Sequence, residues 1–294
     1  MKRILVIGRS GQLAGALAEA PWPDGIALAC HGRDQIDLGA PDAAREAVAR
    51  ERPDLVINAA AYTVVDKAES EPALAYAVNR DGPAALAEAC GAITSPLIHV
   101  STDYVFDGSK KGPYREDDPV NPVSVYGASK EAGEAAVRAR LVRHLILRSS
   151  WIYAPTGSNF VRTMLRLGRE RPEIRVVDDQ VGSPTAAEDL AGAILAAALR
   201  LLAGGEDYGT FHFSGAGETS WFGFAEAIFA LTPALRPRVV PIPTADYPTP
   251  ARRPANSVLD CAKFARLYGV SGKPWRESLA RCLAVIAARE ATAA

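Results

Sequence analysis

The chain has 294 residues and a net charge of −1, from 33 Lys+Arg against 34 Asp+Glu. That length suits two domains or one large one with ample core, and the charge balance implies neither a basic face for nucleic acid nor an acidic tail. Cys30, Cys90, Cys261 and Cys282 show no metal-ligand spacing and read as reduced thiols. Met1-Lys2-Arg3 runs into an apolar strand with no signal peptide. No apolar run approaches the ~18 residues of a membrane span, so a soluble cytoplasmic protein without a membrane partner is expected.

Ile4–Ile7 is a short apolar run that fits a buried parallel strand. Gly8-Arg9-Ser10-Gly11-Gln12-Leu13-Ala14 follows, then an Ala/Leu stretch of helical period. Strand, glycine turn and helix form the dinucleotide-binding arrangement: Gly8 permits the tight turn, Gly11 lets backbone approach a pyrophosphate at the helix N-terminus, and Ala14 packs helix on strand. A second strand, Ile26–Cys30, ends at His31-Gly32-Arg33. An acid at this point selects NAD, and an arginine accommodates a 2′-phosphate. Arg33 therefore favours NADPH, with NADH as the alternative, and an ordinary loop arginine remains the plain reading. Asp37-Leu38 lies further on, within reach of an adenine.

A helix over about 42–50 leads to a third strand, Leu55–Asn58, ending in Ala59-Ala60-Ala61-Tyr62-Thr63. Small residues there let a cofactor lie against backbone. A helix is predicted over 72–90, with Asn79 either exposed or bracing a neighbour. The fourth strand, Leu97–Val100, runs into Ser101-Thr102-Asp103-Tyr104. Ligands of parallel sheets lie beyond the carboxyl ends of strands, so the Thr102 hydroxyl is placed to hydrogen-bond a substrate carbonyl.

Tyr126-Gly127-Ala128-Ser129-Lys130 comes next. A spacing of four puts the phenol and the ammonium on one helix face. A cation beside a phenol, whose reference pKa is about 10, lowers that pKa and makes the phenol a usable general acid for a carbonyl under reduction. A fifth strand, Leu145–Arg148, is closed by Ser149, Ser150, Trp151 and Tyr153. Beyond it the alternation loosens: a helix over 159–170, a strand over 174–177, a turn-rich loop 179–185, an Ala/Leu helix 186–203 and a strand 211–213. Helices near 221–230, 261–268 and 275–288 flank the proline-rich segment 241–254 and the Arg252, Arg253, Asn256 and Ser257 that close it. Two arginines in a restrained loop suit a diphosphate. The expected fold is α/β: a Rossmann-like doubly wound parallel sheet with a smaller C-terminal substrate-binding domain. Residues 1–150 would be the NAD(P)-binding part, with 186–213 returning to it, and 151–294 mainly the substrate part.

These blocks, in this order, resemble the extended short-chain dehydrogenase/reductases, and within them the dTDP-4-dehydrorhamnose reductases. Gly8–Leu13, Asn58–Thr63 with Val65–Glu69, Ser101–Gly108, the Tyr126–Lys130 block, Arg148–Trp151, Asp179–Thr185 and Arg253–Ser257 carry the likeness. The resemblance implies reduction of the C4 ketone of dTDP-4-dehydro-L-rhamnose by NADPH, in a homodimer. It implies Tyr126 as proton donor, Lys130 as its partner and ribose ligand, and Thr102 at the carbonyl. It implies Asp103, Trp151, Arg253 and Asn256 on the sugar nucleotide. Gly8, Gly11, Gln12, Leu13, Arg33, Asp37, Leu38, Ala61, Tyr62 and Thr63 would line the cofactor. Some relatives hold magnesium at a subunit contact: Glu188 matches one of its carboxylates, but Ala16 stands at the other. A dehydratase or epimerase of the same fold is the alternative enzyme, yet dehydratases resemble one another in an Asp-Glu pair and here Tyr104 follows Asp103. A regulatory dinucleotide-binding subunit would need no intact Tyr/Lys pair.

Overall fold

In the computed structural model, which describes residues 1–293, strands β1 (Lys2–Ile7), β2 (Ile26–His31), β3 (Leu55–Asn58), β4 (Leu97–Thr102) and β5 (His144–Ser149) join a strand at Gly209–His212 in one sheet. The order across it is Gly209–His212, β5, β4, β3, β1, β2, and every neighbouring pair is parallel. β3 and β5 are buried along their whole length, as strands covered by helices on both faces must be. On one face Leu13 and Leu17 of helix Gln12–Glu19 pack with Leu190, Ile194 and Leu201 of helix Ala187–Leu202. On the other, Val48, Leu86, Cys90 and Val137 come from helices Pro41–Glu51, Gly82–Ala92 and Val125–Arg140.

Strand order reverses between β1 and β3. Their register pairs Ile7 with Asn58, while Ile7 also faces His31 on β2, so three strands end at one level. That edge is where a doubly wound sheet takes its ligand. A third apolar cluster, including Tyr153, Val161, Ile174, Phe224, Trp275 and Leu279, belongs to the C-terminal part.

Two elements differ from the sequence reading. The single helix expected over 72–90 is an α-helical turn at Pro72–Tyr76, a π-helical turn at Ala77–Asp81 and a helix at Gly82–Ala92. Pro83 has no N–H for the carbonyl of Asn79 four residues back, and a widened turn absorbs that loss. The proline-rich segment begins inside a strand, Arg238–Ile242, paired in parallel with Glu173–Val177. Pro241 is tolerated because this sheet has only two strands, leaving an edge on which no donor is required.

Candidate active site

Gly8 follows β1 with φ +121, a conformation that favours glycine, and a Cβ there would come within 3.3 Å of the Ala14 side chain. Gly11 caps helix Gln12–Glu19, and a Cβ built on it would meet nothing within 4 Å among the described residues. Backbone amides at this N-terminus are therefore accessible to an anion. A cleft of about 380 Å³ opens beside the turn, lined by Gly8, Arg33, Asp37, Leu38, Ala61, Tyr62 and Thr63 together with apolar neighbours and the polar His31, Lys67 and Glu71. Seven residues expected at a dinucleotide thus share one cavity. These residues fit the group: a tight glycine turn, small strand-end residues and an exposed arginine at the β2 end. Arg33 is held by Asp37 at 3.2 Å. Leu13 is buried in the core, so only its backbone faces the helix end. Gln12 lies outside this cleft, and its Oε1 accepts from Asn159 Nδ2 at 2.8 Å.

Asn79 ties this cleft to the Tyr126 helix. Its Oδ1 accepts from the Tyr62 amide at 2.8 Å, and its Nδ2 donates to Tyr62 O at 3.0 Å and to Ser129 Oγ at 2.9 Å. The π turn aims this side chain.

The candidate reaction centre lies where β4 and helix Val125–Arg140 meet. Ser124 caps the helix, its Oγ accepting from the Gly127 amide at 3.2 Å, and this fixes Tyr126 in the first turn. The Tyr126 ring meets Tyr104 edge-on, with centroids 5.8 Å apart. Burial pushes the phenol up to about 12; the Thr102 hydroxyl pulls it back and the Asp103 carboxylate raises it. Thr102 Oγ1 donates to Asp103 Oδ1 at 2.9 Å. Asp103 is 2% exposed, and burial pushes it up to about 7 against the hydroxyls of Ser257 and Thr102.

Lys130 departs from expectation. Its Nζ donates to the Val100 carbonyl oxygen at 2.8 Å, and burial is the largest influence on the Tyr126 phenol, ahead of Thr102 and Asp103. In this conformation the net effect of burial on the phenol is to raise it. The ammonium is itself pushed down to about 8 by burial, against the raising field of Glu134. Glu134, one helical turn beyond Lys130, is fully buried and paired with Arg148 of β5 at 2.7 Å. Burial works to raise that carboxyl, but Arg148, Ser101 and Arg138 together hold it below its usual range.

On the substrate side Trp151 has φ +47, a strained value for a bulky residue. Its indole stacks on Trp221 at 3.5 Å, with the planes 5° apart. Arg253 does not present a bare fork: Nη1 and Nη2 reach Asp66 at 3.0 and 2.8 Å, and Nη1 also reaches Thr249 Oγ1 at 2.6 Å. Arg252 is exposed. Asn256 spends its amide on the carbonyls of Lys110 and Gly112, both at 2.8 Å. Glu188 faces Arg281 at 3.9 Å, and no group of three His, Cys, Asp or Glu side chains able to hold a metal converges among the described residues. One chain by itself does not fit a magnesium site.

The sequence model of the RmlD substrate binding domain family matches residues 1–288. The chain belongs to this family. A dTDP-4-dehydrorhamnose reductase from Sinorhizobium fredii is 46% identical over 284 residues, 95% of this chain and 96% of that one. The crystal structure of a dTDP-4-dehydrorhamnose reductase from Clostridium acetobutylicum superposes with a TM-score of 0.91 at 37% identity, over 97% of this chain and 99% of that chain. The enzyme of that name from Bacillus anthracis, solved in complex with NADP, gives 0.90 at 38%, over 97% and 100%.

Family membership leaves several structural roles visible only in three dimensions. Reading the sequence did not single out Glu134 or Trp221. For Glu134 a signal existed, an acid spaced four residues after Lys130 on the same helix face. For Trp221 there was none, since its partner is 70 positions away and joins it only through the fold.

Proposed function

We propose that this chain reduces the C4 ketone of dTDP-4-dehydro-L-rhamnose to dTDP-L-rhamnose with NADPH, the last step of dTDP-rhamnose formation. The observation that carries the reading is the Thr102–Asp103–Tyr126 cluster at the carboxyl end of β4, on the sheet edge that also bears the dinucleotide cleft. When bound, the nicotinamide supplies the hydride. Tyr126 donates its phenolic proton to the oxygen that gains charge at C4, and Thr102 hydrogen-bonds that oxygen. A phenol held near 12 stays fully protonated at neutral pH and so remains a competent donor. Donors placed where charge develops lower the barrier. Lys130 holds a buried positive charge and is the ligand for the nicotinamide ribose. Trp151 presents an aromatic face to the sugar, Asp103 lies against it, and Arg253 is the cation for the diphosphate. Asn256 shapes the wall by holding the 110–112 turn. Gly8, Arg33, Asp37, Leu38, Ala61, Tyr62 and Thr63 form the cofactor wall, with Arg33 reading the 2′-phosphate, and Gly11, Gln12 and Leu13 offer the helix N-terminus beside it to the pyrophosphate. No step runs through a metal.

Residues 1–150 with 186–213 act as the cofactor part and the remainder mainly as the substrate part. Helix Ala187–Leu202 and strand Gly209–His212, packed into the main sheet, support this division. A cytoplasmic homodimer completes the reading. The test is NADPH oxidation by the purified protein, followed by loss of NADPH absorbance with and without dTDP-4-dehydro-L-rhamnose. Sugar-dependent oxidation is expected. A protein that binds NADPH but turns over no 4-keto sugar nucleotide ends the proposal.

A further inference from the structure

The reductase reading sets the Trp151 indole against the sugar, and the Trp151 backbone does not hold that position by its own preference. At φ +47 it lies in the left-handed region, which a bulky side chain rarely enters, so the groups around it must fix it there. Resting on the reductase reading above, we propose that Trp221 is a positioning residue for the sugar: stacked on one face of Trp151, it keeps that indole as a ready-made wall at the sugar end of the substrate.

The two rings lie 3.5 Å apart at 5°, a face-to-face sandwich. Aromatic pairs left to themselves prefer offset or edge-on arrangements, with centroids about 4.5–7 Å apart, so this sandwich is imposed by its surroundings. Trp221 rests on Phe160, tilted at 46° with centroids 4.7 Å apart, and Phe160 stacks in turn on the fully buried Phe224. An aromatic row therefore runs from the core of the C-terminal part out to Trp151. Gly182 is the second partner of the indole. A Cβ there would stand 2.5 Å from Trp151 Cε2 and 2.6 Å from its Nε1, and 2.8 Å from Ser257 Oγ. Glycine is needed at this point for close approach to the ring.

The segments that carry these groups are hydrogen-bonded to one another. Thr219–Ser220 pairs antiparallel with Val181–Gly182, which sets Ser220 opposite Val181. Ser220 Oγ accepts from the Gly223 amide at 3.0 Å and caps the helix that Trp221 opens. The Val181 amide donates to the Ala255 carbonyl oxygen, and the Ser257 amide donates to the Val181 carbonyl oxygen, both at 2.8 Å. The Thr185 amide holds the Trp151 carbonyl oxygen at 3.2 Å. Trp151, Trp221 and the segment 253–257 thus belong to one hydrogen-bonded patch, with the sugar wall beside the cation assigned to the diphosphate. Trp221 covers one face of the indole, so a sugar meets the other face and the edge. Such a wall recognises the C–H side of a hexose ring and offers no charge to a diphosphate. Its loss should be felt by the sugar and not by the nucleotide.

That separation is what general loosening of the packing would not give. Trp221→Leu fills space without offering a plane. It should raise KM for dTDP-4-dehydro-L-rhamnose about three- to tenfold, the scale of one aromatic pair, while the inhibition constant of dTDP and the NADPH affinity stay at wild-type values. Trp221→Phe restores a plane and should return KM most of the way. Gly182→Ala leaves Trp221 in place and displaces the indole from its second partner. The Ser257 hydroxyl can rotate clear of the new methyl, whereas the indole must move as a plate, so the same rise in KM is expected with dTDP inhibition unaffected. Steady-state kinetics at saturating NADPH, with dTDP as competitive inhibitor, measures both constants, and fluorescence titration measures the NADPH affinity. An unchanged KM in Trp221→Leu, or an equal rise in KM and in the dTDP constant, overturns the role and leaves the reductase standing. If Trp221→Leu does not fold, Gly182→Ala decides by the same two constants. A wild type that oxidises no NADPH with the keto sugar removes the reductase reading and this role with it.

Discussion

Lys130 is an ammonium buried to 2% exposure with one backbone acceptor, and such a group costs the fold free energy. Its folded pKa near 8 lies below the ordinary 10.5, so the folded state binds the proton less tightly than the unfolded chain. Below about pH 8 both states are protonated and the penalty is fully present, on the order of 3 kcal/mol. As pH rises from about 8 toward 10.5 the folded state alone loses its proton, and stability increases relative to a chain without this group. Lys130→Met should therefore unfold at a higher temperature than wild type at pH 7, and the gap should close near pH 10 while turnover stays abolished. Thermal unfolding at the two pH values checks it, and a lower melting temperature at pH 7 would show that the Val100 contact outweighs desolvation. Tyr126→Phe removes the proposed proton donor and only a hydroxyl's worth of volume. Turnover should fall by about 10²–10⁴-fold, with NADPH affinity within a few fold by fluorescence titration; retained turnover would reassign the donor. Arg33→Ala should weaken NADPH more than NADH, because the exposed guanidinium offers a 2′-phosphate a charge that NADH cannot use. Equal losses would return Arg33 to the surface.

At the level of elements, the five leading strands were legible because each is a short apolar run closed by a polar or glycine end, and a strand buried on both faces has little other appearance. The interrupted helix was not. Pro83 marked a break, but local sequence does not distinguish a kink, a new start and a π turn, and the choice was made by what Asn79 could reach. Asn79 is 1% exposed and satisfies three groups on two other elements. The helix approaches so closely that a Cβ on Gly133 would stand 2.0 Å from the Asn79 carbonyl oxygen. Asn79→Ala strands the Tyr62 amide and carbonyl, at about 1–3 kcal/mol per unpaired buried group. That loss should appear as a KM for NADPH raised about tenfold, on the scale of one such group, and a lower melting temperature, with kcat changed less. Gly133→Ala should be worse than Asn79→Ala in stability, because backbone must move rather than a side chain. Steady-state kinetics and thermal melts test both, and a wild-type KM in Asn79→Ala would mean that the Tyr62 loop holds itself. The same contrast explains Arg253 and Asn256. Their residue types announced polar contact and the resemblance assigned it to substrate, but only the fold revealed that Asp66, Lys110 and Gly112 already engage them.

Across the whole molecule, the ion pair between Asp66 and Arg253 joins a segment that follows β3 to one 187 positions later. The Ala251 amide also donates to Asp66 Oδ1, at 3.2 Å. The Arg253 hydrogen bonds hold the Asp66 carboxyl below its usual range against burial. Its contribution is therefore present above an ordinary carboxyl pKa of about 3.9 and is lost only as pH falls through the lower folded value. At neutral pH the tie is constant and can act as a fixture. Asp66 occupies both terminal nitrogens, and Thr249 adds a second hold on Nη1, so the guanidinium is fixed in direction. A fork aimed in advance loses less entropy on meeting a phosphate than a free side chain does. A competing carboxylate works the other way, by occupying the donors. The geometry favours aiming: the Nε edge makes no contact with Asp66, and Asp66 is itself 40% exposed along its side chain, which weakens its electrostatic grip. Asp66→Asn should therefore raise KM for the sugar nucleotide about tenfold with kcat at saturation little changed, the pattern of lost uniform binding. Arg253→Lys, which keeps charge but not the fork, should raise it at least as much. If Asp66→Asn instead lowers KM, the carboxylate is a competitor that substrate must displace, and the Asp66–Arg253 pair is a latch between the two halves rather than a brace.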